Sequence, residues 1–456
     1  MPTQSQIPPK RRMVFLAIGT RPEAIKMLPL VYAMKQNPNM EPVVIATGQH
    51  PGIVKEVLSE FDLPVHADLE VGRPGITLNE MFAEIVMRFE RHFLETYGPM
   101  PDAASDRDFN RFPLATAVHG DTTSAAAMAL ASFHLRLPVV HVEAGLRTSD
   151  IRSPYPEELN RQMISRLASF HLAPTMRNHQ NLVLEGVNAD RIFVTGNTAI
   201  DALQAAASAQ VPFENEELEA ISADPETKIV LVTAHRRENW GGGLDRIGDA
   251  VAELAQKFPD VHFVIPLHPN PNVAERLRAK LHMHDNVLKI PPMPYRCFAR
   301  LLASAHIVLT DSGGIQEEAP ALGTPVLVMR ETTERQEGVD AGTVKLVGTD
   351  VDLIVREASE LITNEIAHQT MASRTNPYGD GLASQRIVHA FEHIAYGLPA
   401  PTPFGQCFNR LAVLRAAGFD YDPNPKKRSA EVKLDTAAPD IVVPSSAQVV
   451  NEGLLR

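Results

Sequence analysis

Short runs of β-branched and aliphatic residues alternate along the chain with stretches whose apolar positions recur every three to four residues. Val14–Ile18, Val43–Ala46, Ala115–His119, Val139–Val142 and Ile192–Thr195 each read as a buried strand. Leu78–Phe93 and Thr122–Leu135 carry helical spacing between them. That alternation predicts βαβ units on a parallel sheet. From Gln210 to Lys228 the text turns polar and acidic. The strand runs then restart at Ile229–Thr233, His262–Pro266, Val287–Ile290, Ile307–Thr310, Val326–Met329 and Val344–Val347. A second α/β domain is therefore expected to begin near Lys228, and the last helical pattern, Ser384–Tyr396, to pack back on the first domain.

The division that follows is a polar tail at 1–12, a Rossmann-like domain at 13–207, a linker at 208–227 and a second Rossmann-like domain at 228–380. A returning helix is placed at 381–397 and a loosely ordered extension, rich in Pro, Ala, Ser and charge, at 398–456. Pro99–Pro113 reads as a polar loop. Two parallel sheets facing a cleft are the expected architecture, and 456 residues suit two domains of roughly 150–200 residues each.

Composition narrows the function. Net charge is -12, which argues against a nucleic-acid partner but not against an anionic small substrate, since a local field can oppose the global sign. The two cysteines, Cys297 and Cys407, form no CxxC pair, so a reducing compartment is expected. The N-terminal segment lacks a signal-peptide pattern, and no apolar run reaches the roughly 18 residues of a membrane span. A cytoplasmic protein with no membrane partner is the expectation.

Ligands of open parallel sheets bind beyond the carboxyl ends of strands. The first strand is followed by Gly19-Thr20-Arg21-Pro22-Glu23-Ala24-Ile25-Lys26. Arg21 and Lys26 near a helix start can clamp phosphates, or can be solvated charges on a plain helix. Asp121 follows the strand ending at His119. It can cap the next helix, or act chemically. Glu143 ends a buried apolar run, where a carboxylate is costly unless paired or used. Glu157 and Glu158 open a further helix. Three acids meeting on one rim are expected to raise one another's pKa, as proton transfer requires.

In the second half, His235 and Arg236 follow a strand, as does His268. The spacing of His235, His268, His282 and His284 matches no zinc pattern, so no metal is expected. Thr310-Asp311-Ser312-Gly313-Gly314-Ile315-Gln316-Glu317-Glu318 offers backbone N–H groups at a helix start, a diphosphate cradle, with Glu318 placed for ribose hydroxyls. A serine nucleophile would need an elbow motif that is missing. Arg330 and Arg335 add cations after the next strand.

GTRPEAIK, HGDTT, HVEAGLRT, PEELNR, TGNTAID, AHRRE, TDSGGIQEEAP, RETTER and NPYGDG occur in this order. Together they resemble the non-hydrolysing UDP-N-acetylglucosamine 2-epimerases, over about Val14 to Tyr396. The resemblance implies a two-domain glycosyltransferase-B type fold and a reversible interconversion of UDP-N-acetylglucosamine and UDP-N-acetylmannosamine, without cofactor, for cell-surface polysaccharide synthesis. It implies Asp121, Glu143 and Glu157 as acid/base groups, with His235 beside the leaving diphosphate. It implies Arg21, Lys26, Ser312, Gly313, Gly314, Glu318 and Arg335 as UDP ligands. It further implies a homodimer, and a second, activating UDP-N-acetylglucosamine held by Gln49, His50, Arg236 and His268. A glycosyltransferase on the same fold and a hydrolysing epimerase are the rival readings.

Overall fold

A computed structural model describes residues 11–405, apart from 60, 103–106, 149, 210, 237–238 and 269. The first lobe runs β1 (Arg12–Ile18), α1 (Arg21–Gln36), β2 (Met40–Ala46), α2 (Ile53–Ser59), β3 (Ala67–Asp68), α3 (Leu78–Tyr97), β4 (Ala115–His119), α4 (Thr123–His134), β5 (Val139–Val142), α5 (Glu157–Leu167), β6 (Phe170–Ala173), α6 (Met176–Leu184), β7 (Ile192–Val194) and α7 (Thr198–Ala207). The second continues with α8 (Glu216–Ala223), β8 (Lys228–Thr233), α9 (Gly242–Lys257), β9 (Val261–Pro266), α10 (Pro271–Leu281), β10 (Val287–Ile290), α11 (Tyr295–Ser304), β11 (Ile307–Thr310), α12 (Gly313–Glu318), β12 (Val326–Val328), α13 (Gln336–Ala341) and β13 (Val344–Leu346). Helices α14 (Val351–Thr363), α15 (Glu365–Ala372) and α16 (Ala383–Tyr396) close the described fold.

The two parallel sheets expected from the strand pattern are present. The first has seven strands in the order β3-β2-β1-β4-β5-β6-β7, the second six in the order β10-β9-β8-β11-β12-β13. Each order reverses direction once, at β1/β4 and at β8/β11. Loops on either side of such a reversal diverge and leave a crevice, so the sequence order of strands itself makes a binding site. Strand interiors are buried on both faces, which is why they read as continuous apolar runs rather than alternations.

Several local features depart from the pattern reading. The polar tail ends before residue 12: Arg12 already pairs with Met40, because the Arg11 guanidinium bonds the Met34, Lys35 and Met40 carbonyls and ties this edge down. The stretch read as a linker carries α8, whose Leu218 packs with Phe213 into the second-lobe core while Glu219 pairs with Arg300. β6 was not visible as a run, being four residues with a histidine in it. Residues 406–456 of the expected extension lie outside the described residues.

Two helices join the lobes. α16 returns to the first lobe, where Ile387, Val388, Ala390 and Phe391 are buried with Val14, Leu16 and Leu30. α7 packs against α1 on one side and α11 on the other, placing Leu203 and Ala206 in the second-lobe core.

Candidate active site

The site is built from loops at the carboxyl ends of the strands flanking both reversals. After β1, Thr20 caps α1 and Glu23 completes a capping box. The Glu23 carboxylate accepts from the Gly19 and Thr20 N–H groups at 2.9 and 2.8 Å, and from Thr122 Oγ1 at 2.6 Å. The first loop is thereby fastened to the loop after β4. Thr122, not Asp121, caps α4, by accepting from Ala125 N. Asp121 is thus left to face Arg161, whose Nε and Nη2 lie 2.9 and 2.7 Å from its Oδ2.

Glu143 follows β5 with φ of +60°, a left-handed conformation that non-glycine residues adopt at a cost of about 1–3 kcal/mol. Its side chain gathers partners from three elements. Lys26 Nζ lies 2.6 Å and Asn197 Nδ2 3.1 Å from Oε1, and His119 Nε2 stands 3.7 Å from Oε2. Gly120 keeps room for it: a Cβ there would meet Oε2 at 3.3 Å.

These neighbours overturn the expectation of a raised carboxylate pKa at Glu143. Burial alone would push the Glu143 carboxyl up, but the Lys26 ammonium and the surrounding hydrogen bonds outweigh it and hold the pKa at about 2. At Glu143 the paired cation, not repulsion from the other rim acids, dominates, and Asp121 likewise has a cation of its own in Arg161. Lys26, expected as a phosphate ligand, lies one turn inside α1 and is bonded to Glu143. Burial pushes its ammonium down, but the charges of Glu143 and Glu317 more than reverse this and raise its pKa. Arg21 is exposed, 3.9 Å from Glu56.

The α5 carboxylates divide. Glu158 is fully buried and structural, accepting from Arg161 at 2.9 Å, Thr148 N at 3.1 Å and Gln162 at 3.2 Å. Glu157 keeps one buried oxygen, Oε2, with no hydrogen-bond partner among the described residues.

In the second lobe, Asp311 is fully buried and organises the loop after β8. It accepts from His235 N (3.0 Å), Arg236 N (2.9 Å) and Asn239 Nδ2 (2.9 Å). The His235 ring is left half-exposed, with its pKa lowered first by desolvation, against the pull of Asp311. Its ring lies parallel to that of His268, centroids 6.1 Å apart. Ser312 opens α12, but its own N–H is taken by Thr310 Oγ1 at 2.9 Å. The cradle therefore reduces to Gly313 and Gly314. Two guanidiniums converge over it: a Cβ on Gly313 would meet Arg335 Cζ at 2.9 Å and Arg236 Nη2 at 3.1 Å, whereas Gly314 faces open space. Arg335 is held by Glu317 at 3.0 Å and by Glu334, and Glu334 also pairs with Arg330. Desolvation raises Glu318 to about 7, with Lys26 pulling it down.

The lobes meet at Asn197, whose Nδ2 also donates to Glu317 Oε2 at 2.9 Å. A cavity of about 390 Å³ opens beside it, lined by Arg161, Asn197, Arg236, Glu317, Arg330 and Arg335. The partners of Asp121 and Glu143 thus share one wall with the cations of the second lobe. A larger groove of about 700 Å³ runs between α1, α7, α11 and α16, with Arg21 on its wall. It is mostly apolar and contains none of the three candidate carboxylates. Gln49 bonds Ser124 at 2.7 Å beside exposed His50, and no hydrogen bond or ion pair among the described residues joins this pair to Arg236 or His268. Pattern reading missed His119, Asn197 and Glu317 as site residues. Each lies inside one of the quoted motifs, which was the available signal.

A sequence model of the UDP-N-acetylglucosamine 2-epimerase family matches residues 32–392. The chain belongs to this family. It is 47% identical over 386 residues to the UDP-N-acetylglucosamine 2-epimerase of Yersinia pestis, covering 83% of this chain and 98% of that one. The Escherichia coli K12 enzyme of the same name is 45% identical over 385 residues, covering 83% and 98%. Among solved structures, the Neisseria meningitidis UDP-GlcNAc 2-epimerase bound to UDP-GlcNAc superposes with a TM-score of 0.71 at 41% identity, covering 83% of this chain and 99% of that one. The family relation and the two-lobed fold agree with the sequence reading.

Proposed function

We propose that this chain interconverts UDP-N-acetylglucosamine and UDP-N-acetylmannosamine by eliminating UDP and adding it back. The C2 proton of the substrate is not next to a carbonyl, so it cannot be removed directly at a useful rate. Breaking the C1–O bond first makes C1 oxocarbenium-like and C2 acidic. Arg335, His235 and the Gly313–Gly314 N–H groups take up the charge that develops on the departing UDP. A carboxylate then removes the C2 proton, leaving 2-acetamidoglucal. UDP returns to C1 while an acid delivers a proton to the opposite face of C2. Lobe closure keeps water from C1.

One observation carries this reading: ionised Glu143 lies one amide away from the helix that carries the Gly313–Gly314 turn. Proton removal is assigned to Glu143, which is ionised and fixed in place by Lys26 and Asn197. Asp121 and Glu157 supply the opposite face, and the unpartnered oxygen of Glu157 fits a group that waits for substrate. Glu318 is assigned to the ribose. Gln49, His50, Arg236 and His268 are assigned to an activating nucleotide sugar, because Gln49 and His50 follow the carboxyl end of β2 and Arg236 and His268 those of β8 and β9. A homodimer is proposed through α3, α4 and α5, which pack side by side and expose Met87, Leu94, Phe133 and Leu159. A cytoplasmic location fits the nucleotide-sugar substrate.

The test is incubation with UDP-N-acetylglucosamine in heavy water, followed by proton NMR. A second UDP-hexosamine anomeric signal carrying deuterium at C2 is expected. Free UDP with free sugar would favour hydrolysis instead, and no reaction without an acceptor would overturn the epimerisation and favour a transferase.

A further inference from the structure

Asn197 has no part in the chemistry above, having no proton to give, and its TGNTAID motif is otherwise unexplained. Its surroundings are specific. Oδ1 caps α7 by accepting from Ala199 N at 3.0 Å, which leaves both Nδ2 protons for other acceptors. They go to two carboxylates of different lobes: Glu143 Oε1 at 3.1 Å and Glu317 Oε2 at 2.9 Å. The other unused motif, Asn376–Gly381, closes around the same point. The Tyr378 carbonyl accepts from Asn197 N at 2.8 Å, Asn376 Nδ2 donates to the Glu317 carbonyl at 3.0 Å, and the Tyr378 hydroxyl donates to the Arg335 carbonyl at 3.0 Å. Asn197, Glu317 and Tyr378 are 3%, 5% and 5% exposed, so water does not substitute for these bonds.

We propose that Asn197 and Glu317 are positioning residues for the epimerisation, holding Glu143 in its proton-removing pose only while Arg335 of the second lobe is seated. The proposal rests on the function argued above and adds a coupling to it. A row of alternating groups, Lys26–Glu143–Asn197–Glu317–Arg335, runs from one lobe to the other. Two carboxylates on one amide repel each other, and the row is stable because a cation closes each end. If the lobes part, the amide loses Glu317, and Glu143 turns on Lys26 alone. If Arg335 is drawn off, Glu317 is left without its cation and the amide is pulled toward it. Either event moves the Glu143 oxygens, whose placement over C2 must hold to a fraction of an ångström for proton transfer.

The groups facing Glu143 are Lys26 from α1, His119 from the end of β4 with Asp121 beyond it, Asn197 at the head of α7, and Glu317 from α12. The Asn197 amide favours the ionised carboxylate, whereas the Glu317 charge opposes it. Removing the amide raises the proton affinity of Glu143 and removing the Glu317 charge does not, a contrast that a purely structural role would not produce.

The test compares full-length wild type, Asn197→Ala and Glu317→Gln by the pH profile of kcat and by calorimetric UDP affinity. For Asn197→Ala, kcat should fall about ten- to a hundredfold, the effect of one charge-assisted hydrogen bond, with UDP affinity unchanged within about threefold. Its acid limb should move to higher pH, whereas that of Glu317→Gln should not rise. Unchanged kcat in an active background overturns the proposal. So does loss of kcat in step with UDP affinity at a fixed acid limb. Should Asn197→Ala fail to fold, Asn197→Ser retains a capping oxygen and is read the same way. Inactive wild type would overturn the proposed reaction itself, a result distinct from active wild type with indifferent variants.

Discussion

The two lobes share one architecture, parallel sheets whose strand order reverses once, at β1/β4 and at β8/β11, yet their loops carry opposite signs of charge. In the first lobe the strand ends carry acids, two of which pair with a cation from a helix: Glu143 with Lys26 and Asp121 with Arg161. In the second the loops carry cations, Arg236, Arg330 and Arg335, which line the cavity together with their partners Glu317 and Glu334, and Asp311 lies under the loop bearing His235 and Arg236. In both lobes pairing offsets the cost of burying these charges. What differs is the sign that the loops supply: carboxylates after β4 and β5, guanidiniums after β8 and β12. The fold supplies the crevice, and the loops decide whether a rim handles protons or phosphates.

Exchanging acids for amides in the first lobe is the strongest way to break this contrast. Asp121→Asn and Glu143→Gln should each lower turnover by about a hundredfold to ten-thousandfold, the range for a lost general acid or base, while UDP still binds. Turnover near wild type in both, measured by NMR, would remove the proton-handling role of the first rim. In the second lobe the corresponding change is Gly313→Val, which drives a side chain into Arg335. UDP affinity should weaken about tenfold or more, the effect of losing a charge-assisted bond. Calorimetry showing wild-type affinity would mean the phosphates sit elsewhere.

A pH effect sharpens the comparison further. Desolvation lowers His119 and His171 from 6.5 to about 4, and His141 to about 3, all in the first lobe. In the second lobe, His306 is likewise lowered to about 4. The unfolded chain takes up these protons near pH 6.5 and the folded chain only below about 4. Their contribution to stability is complete above about pH 6.5 and is lost as pH falls toward 4. The calorimetric Tm should therefore drop between pH 7 and pH 5, and His171→Gln should lessen the drop. A flat Tm would contradict the burial argument. At the low end stands Arg278→Ala, which removes a solvent-exposed pair with Glu275. Denaturant titration should show less than about 0.5 kcal/mol of change, and activity should be unaltered.

How far the chain could be read without coordinates depended on range. Strands such as Ala115–His119 and Val139–Val142 were legible to the residue, because burial on both faces leaves an unbroken apolar run between polar loops. α8 was not, since its acidic surface resembles a linker and only Leu218 docking beside Phe213 makes it a helix of the second lobe. The same division holds at the site. Asp121, Glu143 and Gly313 stood out because each follows a strand end, a position defined by local pattern. The Lys26–Glu143 bond joins residues 117 apart, and the Asn197–Glu317 bond residues 120 apart.

The sequence by itself determined the two sheets and the chemical types of the groups at their strand ends, because periodicity and strand-end position are short-range properties of a chain. Tertiary structure alone decided the strand order that opens the crevices and which charges pair with one another. That choice depends on desolvation and on distances of about 3 Å between residues over a hundred positions apart, and no local pattern encodes those.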